Sequence, residues 1–109
     1  MANPAQLTSV MKTLADPTRR AVFERIAREG EVAATGLVKG SKVSQPAISQ
    51  HLKALRDAGL VMERREGRHV HYRVAPKALE PLADWLDHYR AFWRERLGRL
   101  ETLLKETQS

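Results

Sequence analysis

After Pro81 no proline interrupts the chain, and large apolar residues recur to its end at helical spacing. Leu79, Leu82, Leu86, Tyr89, Trp93, Leu97, Leu100 and Leu104 follow one another at intervals of 3, 4, 3, 4, 4, 3 and 4. That is a heptad-like seam with one stutter after Trp93. Trp85, Phe92 and Leu103 widen it. The pattern predicts one helix over about 79–105, roughly 40 Å long at 1.5 Å per residue. A chain of 109 residues is one domain of ordinary size with a modest core. A core of that size does not cover such a helix. Its far end needs an apolar partner, and a second copy of the same helix is the economical one. Leu86, Tyr89, Trp93, Leu97, Leu100 and Leu104 are the expected contacts; the alternative is a helix folded back on its own core.

The stretch Val43 to Val61 is the second strong constraint. Ser44 is a helix N-cap residue whose oxygen can accept from the first free N–H groups. Pro46 falls in the first turn, where a missing N–H costs nothing. Ile48, Leu52 and Leu55 form an amphipathic stripe, and Gly59 ends the helix as a C′ residue. The opposite face carries Gln45, Ser49, Gln50, Lys53 and Arg56, with His51 on its margin. An ordinary surface helix carries Glu/Lys pairs there. Glutamine pairs bidentately with adenine, serine reaches either kind of base, and lysine or arginine reaches guanine or phosphate. The small residues Pro46, Ala47 and Ser49 allow close entry into a groove. The stretch reads as the recognition helix of a helix-turn-helix.

Next comes a hairpin. Leu60–Arg65 and Arg68–Val74 read as two strands around Glu66-Gly67. Val70, Tyr72 and Val74 alternate with His69, His71 and Arg73, one apolar face and one basic. Arg64, Arg65 and Arg68 crowd the tip, placed to touch phosphate or the minor groove. A solvated tip is the alternative, weakened by the neighbouring recognition helix.

These segments resemble a known family. SQPAISQHLKALRDAGLV is similar to the recognition-helix signature of ArsR/SmtB-type winged-helix repressors. ADPTRRAVFERI (Ala15 to Ile26) resembles that family's preceding core helix, and EGRHVHYRV (Glu66 to Val74) its β-wing. The likeness is collinear over roughly residues 5 to 95. It implies a mainly α, winged helix-turn-helix fold, dimeric through its N- and C-terminal helices. It also implies that the first helix, capped at Asn3-Pro4 and carrying Leu7, Val10 and Met11, packs against its copy in a second subunit. For that helix, ordinary packing on its own core is the alternative.

Asp16-Pro17 starts the next helix, which carries Val22, Phe23 and Ile26 inward and ends before Gly30. Arg19 and Arg20 lie in its first turn, where the helix dipole disfavours cations, so each needs a carboxylate or a DNA phosphate. Relatives carry a well-formed helix over the next segment, often headed by a Cys-containing metal motif. This chain has VAATGLVKGSK there, with Thr35 able to cap a short helix holding Leu37 and Val38. Gly36 and Gly40 weaken it by roughly 0.8–1 kcal/mol each.

Composition sets the remaining limits. The formal net charge is +6, pointing to a polyanionic partner. With no cysteine, disulfides, thiolate metal sites and thiol redox sensing are excluded. Of the four histidines, His69 and His71 supply two nitrogens, too few for a tetrahedral site. The resemblance implies that a metal sensor using the last helix draws on two spaced clusters; Asp84, Asp87 and His88 could supply one, but RERLGRLE, where the second would fall, has no histidine. No metal or cofactor is expected. No nucleophile elbow or phosphate-cradling glycine loop is present, so enzymatic activity is not expected. No membrane span or signal peptide is legible, and a cytoplasmic protein is the plain expectation.

The sequence therefore predicts one winged domain over 1–109, binding double-stranded DNA as a homodimer and repressing by promoter occlusion, with no legible effector. Its DNA contacts are expected from Ser44, Gln45, Pro46, Ser49, Gln50, His51, Lys53, Arg64, Arg65 and Arg68. A protein-interaction module, a sequence-blind architectural binder and a metal-responsive repressor with a non-standard site are the rival readings.

Overall fold

Side-chain caps and prolines decide where the first helices begin. In the computed structural model, which describes residues 3–108, α1 (Pro4–Ala15) starts at Asn3, whose side chain accepts from the Ala5 N–H. Asp16 caps α2 (Pro17–Glu29), accepting from the Arg19 N–H at 3.0 Å. Both have proline in the first turn, where no intrahelical N–H partner is lost. Met1, Ala2 and Ser109, part of the expected 1–109 domain, lie outside the described residues.

The chain continues through β1 (Glu31–Ala33), α3 (Ala34–Val38), α4 (Gln45–Asp57), β2 (Val61–Glu66), β3 (His69–Val74) and α5 (Glu80–Gln108). This is the expected fold class, mainly helical with a hairpin wing. The sheet is larger than the hairpin alone: β1 joins it, giving the antiparallel order β1-β3-β2. Glu31 pairs with Arg73 and Val32 with Tyr72. Because β1 holds Ala33 extended, α3 begins directly after it and has no side-chain cap. Thr35, expected as that cap, lies inside the helix instead. At five residues α3 is as short as its glycines imply.

One core joins these elements. Val22, Phe23 and Ile26 of α2 meet Leu37 of α3, Ile48, Leu52 and Leu55 of α4, and Val32, Leu60 and Val61 at the sheet. Each fully buried aliphatic contributes about 1.5–3 kcal/mol. Val10 belongs to this core and is 1% exposed. The α1 stripe turns Val10, expected at a dimer face, and Thr13 into the chain's own interior. Leu7 is half-buried and Met11 exposed.

The long helix is different. Pro81 is buried and Leu82 half-buried, but every described residue from Ala83 onward is exposed. Trp85, Leu86, Tyr89, Phe92, Trp93, Leu97, Leu100, Leu103 and Leu104 are all 40% or more exposed. The molecule is accordingly elongated, 65 × 32 × 20 Å, with a radius of gyration of 18.8 Å. A compact chain of this length has about 13 Å. Among the described residues no helix is long and apolar enough to cross a membrane.

Candidate nucleic-acid interface

Helix α4 is fixed at both ends and along one side. At its start the Ser44 hydroxyl oxygen accepts from the Ala47 N–H at 3.3 Å. At its end Gly59 takes φ +77°, a left-handed value that favours glycine. The Leu60 N–H then bonds the Leu55 carbonyl at 2.9 Å and the Gly59 N–H bonds that of Arg56 at 3.0 Å. This is a Schellman closure, and both hydrophobic partners that accompany it, Leu55 and Leu60, are fully buried. Along the inner side Ile48, Leu52 and Leu55 are 0–3% exposed. The outer face is thereby held towards solvent: Gln45, Pro46, Ser49, Gln50 and Lys53 are all exposed. At about 100° per residue, Ser49, Lys53, Pro46 and Gln50 share one side, and Gln45 lies on its edge.

His51 is placed differently from its neighbours. It is half-buried, and its Nδ1 accepts from Arg19 Nε of α2 at 3.4 Å. It faces the α2 start, so the outer face consists of amides, a hydroxyl and a lysine. The two arginines of that helix start also find partners. Arg20 donates to the Leu14 carbonyl at the end of α1 (2.8 Å) and lies 4.0 Å from Glu24. Asp16 beside them is held below the usual carboxylate range, chiefly by accepting the Arg19 backbone N–H.

A separation of 11 to 14 residues hides the side chain that seats α3. Arg25 of α2 donates to the carbonyls of Gly36 (2.9 Å), Leu37 (3.4 Å) and Lys39 (3.4 Å), while its Nε reaches Glu29 at 2.7 Å. A guanidinium thus takes up the orphan carbonyls where α3 ends and the turn towards α4 begins. Lys39 of that turn lines a surface groove of about 230 Å³ with Gln45 and Ser49. Neither Arg25 nor Lys39 figured among the sequence candidates. Lys39 was legible as a cation in the helix-turn-helix turn; Arg25 carried no local signal.

The wing is a tight hairpin in which Glu66 pairs with His69 across Gly67-Arg68. Gly67 takes φ +61° and Arg68 has no positive φ, the arrangement of a II′-type turn. The expected basic outer face is mixed in charge. Arg64 meets Glu31 at 2.8 Å and Glu66 at 3.0 Å. Its pKa is raised, first by the hydrogen bond to Glu66 and then by that to Glu31. Glu66 is correspondingly lowered, first by its hydrogen bond to Arg64 and then by the charges of Arg64 and His71. Among the described residues neither Arg65 nor Arg68 has a carboxylate in ion-pairing distance, so these two carry the uncompensated charge of the tip.

Helix and wing are also joined directly. Arg56, in the last turn of α4, reaches Glu63 of β2 at 3.3 Å, and the Tyr72 hydroxyl donates to the same Glu63 oxygen at 3.4 Å. The charge of Glu63 raises Arg56; burial first, then that charge, raises Tyr72. For metals the arrangement offers little: among the described residues no three His, Asp or Glu side chains stand close enough to hold an ion.

A family model described as a helix-turn-helix domain matches residues 14–64. The arsenic resistance transcriptional regulator ArsR1 of Pseudomonas putida is 45% identical over 78 residues, which is 72% of this chain and 58% of that protein. The HTH-type transcriptional regulator Rv2034 of Mycobacterium tuberculosis is 43% identical over 86 residues, 79% of this chain and 77% of the relative. Among solved structures, an ArsR-like transcriptional regulator from Rhodococcus sp. RHA1 superposes with a TM-score of 0.72 at 33% identity, covering 91% of this chain and 92% of that one.

Proposed function

This chain belongs to the ArsR/SmtB-type family of winged helix-turn-helix transcriptional regulators, which bind DNA and are not enzymes, and from that premise we propose that it is a homodimeric repressor occluding a promoter at an inverted-repeat operator. One observation carries the reading: α4 buries its whole aliphatic stripe and turns amides, a hydroxyl and a lysine outward from a helix capped at both ends. In this reading Gln45, Ser49 and Gln50 meet base edges, with Pro46 permitting close entry. Ser44, Lys53, Arg65 and Arg68 meet phosphate or the minor groove. His51, bonded to Arg19, orients the helix, and Arg64 reaches DNA only by leaving its two carboxylates.

The seam of α5 supports the dimer. Its exposed leucines and aromatics present on the order of 100 Å² each, so two copies bury an area in the range of a standard-size stable interface, roughly 1,200–2,000 Å². Leu86, Tyr89, Trp93, Leu97, Leu100 and Leu104 are the proposed contacts, joined by Leu7 and Met11 of α1. Two recognition helices then face half-sites about one helical turn apart. The arsenic in one relative's name does not carry over, because this chain has no thiol to bind it.

The testing experiment is a salt titration of binding to duplex DNA. Log affinity falls with log salt at about −0.9 per phosphate contacted. A flat response removes the electrostatic half of the proposal.

A further inference from the structure

A regulator that touches bases with one helix and phosphates with a hairpin needs the two held at a fixed angle. Leu60 and Val61 root the hairpin in the core, but from Arg64 to Arg68 every residue on it is exposed. Glu63 lies between, on the face of β2 that carries Val61, opposite Tyr72 on β3. One of its oxygens receives both Arg56 from the recognition helix and the Tyr72 hydroxyl from the far strand of the hairpin. Its side chain is 27% exposed and that of Arg56 42%, so the link is only partly screened by water.

We propose that Glu63 is a positioning residue that couples the recognition helix to the wing, so that both engage one duplex as a single surface. The same pair withholds a charge. Arg56 lies about 20° around α4 from Gln45 and 20° from Ser49, on the flank of the outer face. Held by Glu63 at 3.3 Å and more weakly by Asp57 at 3.5 Å, it is withdrawn from unspecific contact with phosphate, and Glu63 is the stronger of the two holds. Glu63 therefore favours operator over random DNA in two ways: it holds the wing in register, and it keeps Arg56 occupied.

The inference rests on the reading that the wing touches DNA, and the test separates the two. The probes are the duplex most enriched from genomic fragments by the wild-type protein and a scrambled duplex of equal length. Affinity is measured across salt for wild type, Glu63→Gln, Glu63→Ala, Tyr72→Phe, Arg68→Ala and the Glu63→Ala/Arg68→Ala double variant. Thermal melts identify variants that fold. Glu63→Ala is expected to lose about tenfold on the enriched duplex while scrambled-duplex affinity holds or rises. Glu63→Gln keeps an acceptor oxygen and stays near wild type; Tyr72→Phe, retaining the Arg56 link, falls between. Arg68→Ala lowers the salt slope, and the double variant is weaker than Glu63→Ala by less than the full Arg68→Ala factor. An unchanged slope in Arg68→Ala overturns the wing reading itself. A lowered slope there, with an unchanged enriched-to-scrambled ratio in folded Glu63→Ala or Tyr72→Phe, overturns the role of Glu63 alone.

Discussion

Replacing Leu97 with alanine tests the proposed use of α5. Leu97 is 57% exposed in the single chain, and among the described residues no element covers it. A leucine taken from full exposure to full burial gains about 1.5–3 kcal/mol. Somewhat over half of that gain is open to Leu97, and a two-fold interface contains the residue twice. After allowance for the methyl that alanine keeps, the dimer weakens by about 1.5–3 kcal/mol, a ten- to hundredfold rise in its dissociation constant. Sedimentation equilibrium reads that constant directly. The monomer's thermal stability should hardly move, because the side chain contributes nothing to the core of one chain. Binding to an inverted repeat should weaken at protein concentrations near the new dissociation constant. An unchanged dimer constant would refute the seam as the interface, and a large fall in monomer stability would show that α5 folds onto its own chain.

Three further outcomes follow from other parts of the molecule. Gln50→Ala should cost about 1–3 kcal/mol of DNA affinity concentrated at one operator position, read by competition with single-base variants. Arg25→Ala strips the carbonyls of Gly36 and Leu37 of their donor and should destabilise the fold by about 1–2 kcal/mol in urea titration. Asp16 has its pKa lowered below the ordinary 3.8 by the Arg19 N–H it accepts. A depressed carboxyl stabilises above its unfolded value and loses that contribution as pH falls through its folded value. Denaturation followed from pH 5 downward should therefore show a decline below about pH 4 that is reduced in Asp16→Asn, which keeps the cap but does not titrate.

What the sequence made legible was local. Asn3-Pro4, Asp16-Pro17 and Ser44 each announce a helix start through a side chain bonding an N–H two or three residues on, and Gly59 announces an end. The Val70–Tyr72–Val74 alternation placed the second wing strand for the same reason. The features it did not reveal depend on distant partners. Glu31–Ala33 is too short to show a period and becomes a strand only because residues 71–73 pair with it. Arg64 reads as a free charge at a hairpin tip until Glu31, 33 residues earlier, comes beside it. Arg25 and Glu63 look like ordinary members of charged helix and strand faces, and only the fold gives them their partners. For Val10 the stripe on α1 identified an apolar face but not what covers it, and the chain's own core does. The outward face of α4 was readable because capping, stripe and amides all lie within 16 residues, Ser44 to Gly59.

The central claim is that a dimer of this chain reads a defined DNA sequence through α4. Selection of genomic fragments by the purified protein at roughly physiological salt, followed by sequencing, tests it most directly. The account predicts enrichment of an inverted repeat with half-sites about ten base pairs apart, lying in promoters. Enrichment of fragments sharing no sequence, or no enrichment at all, would contradict it.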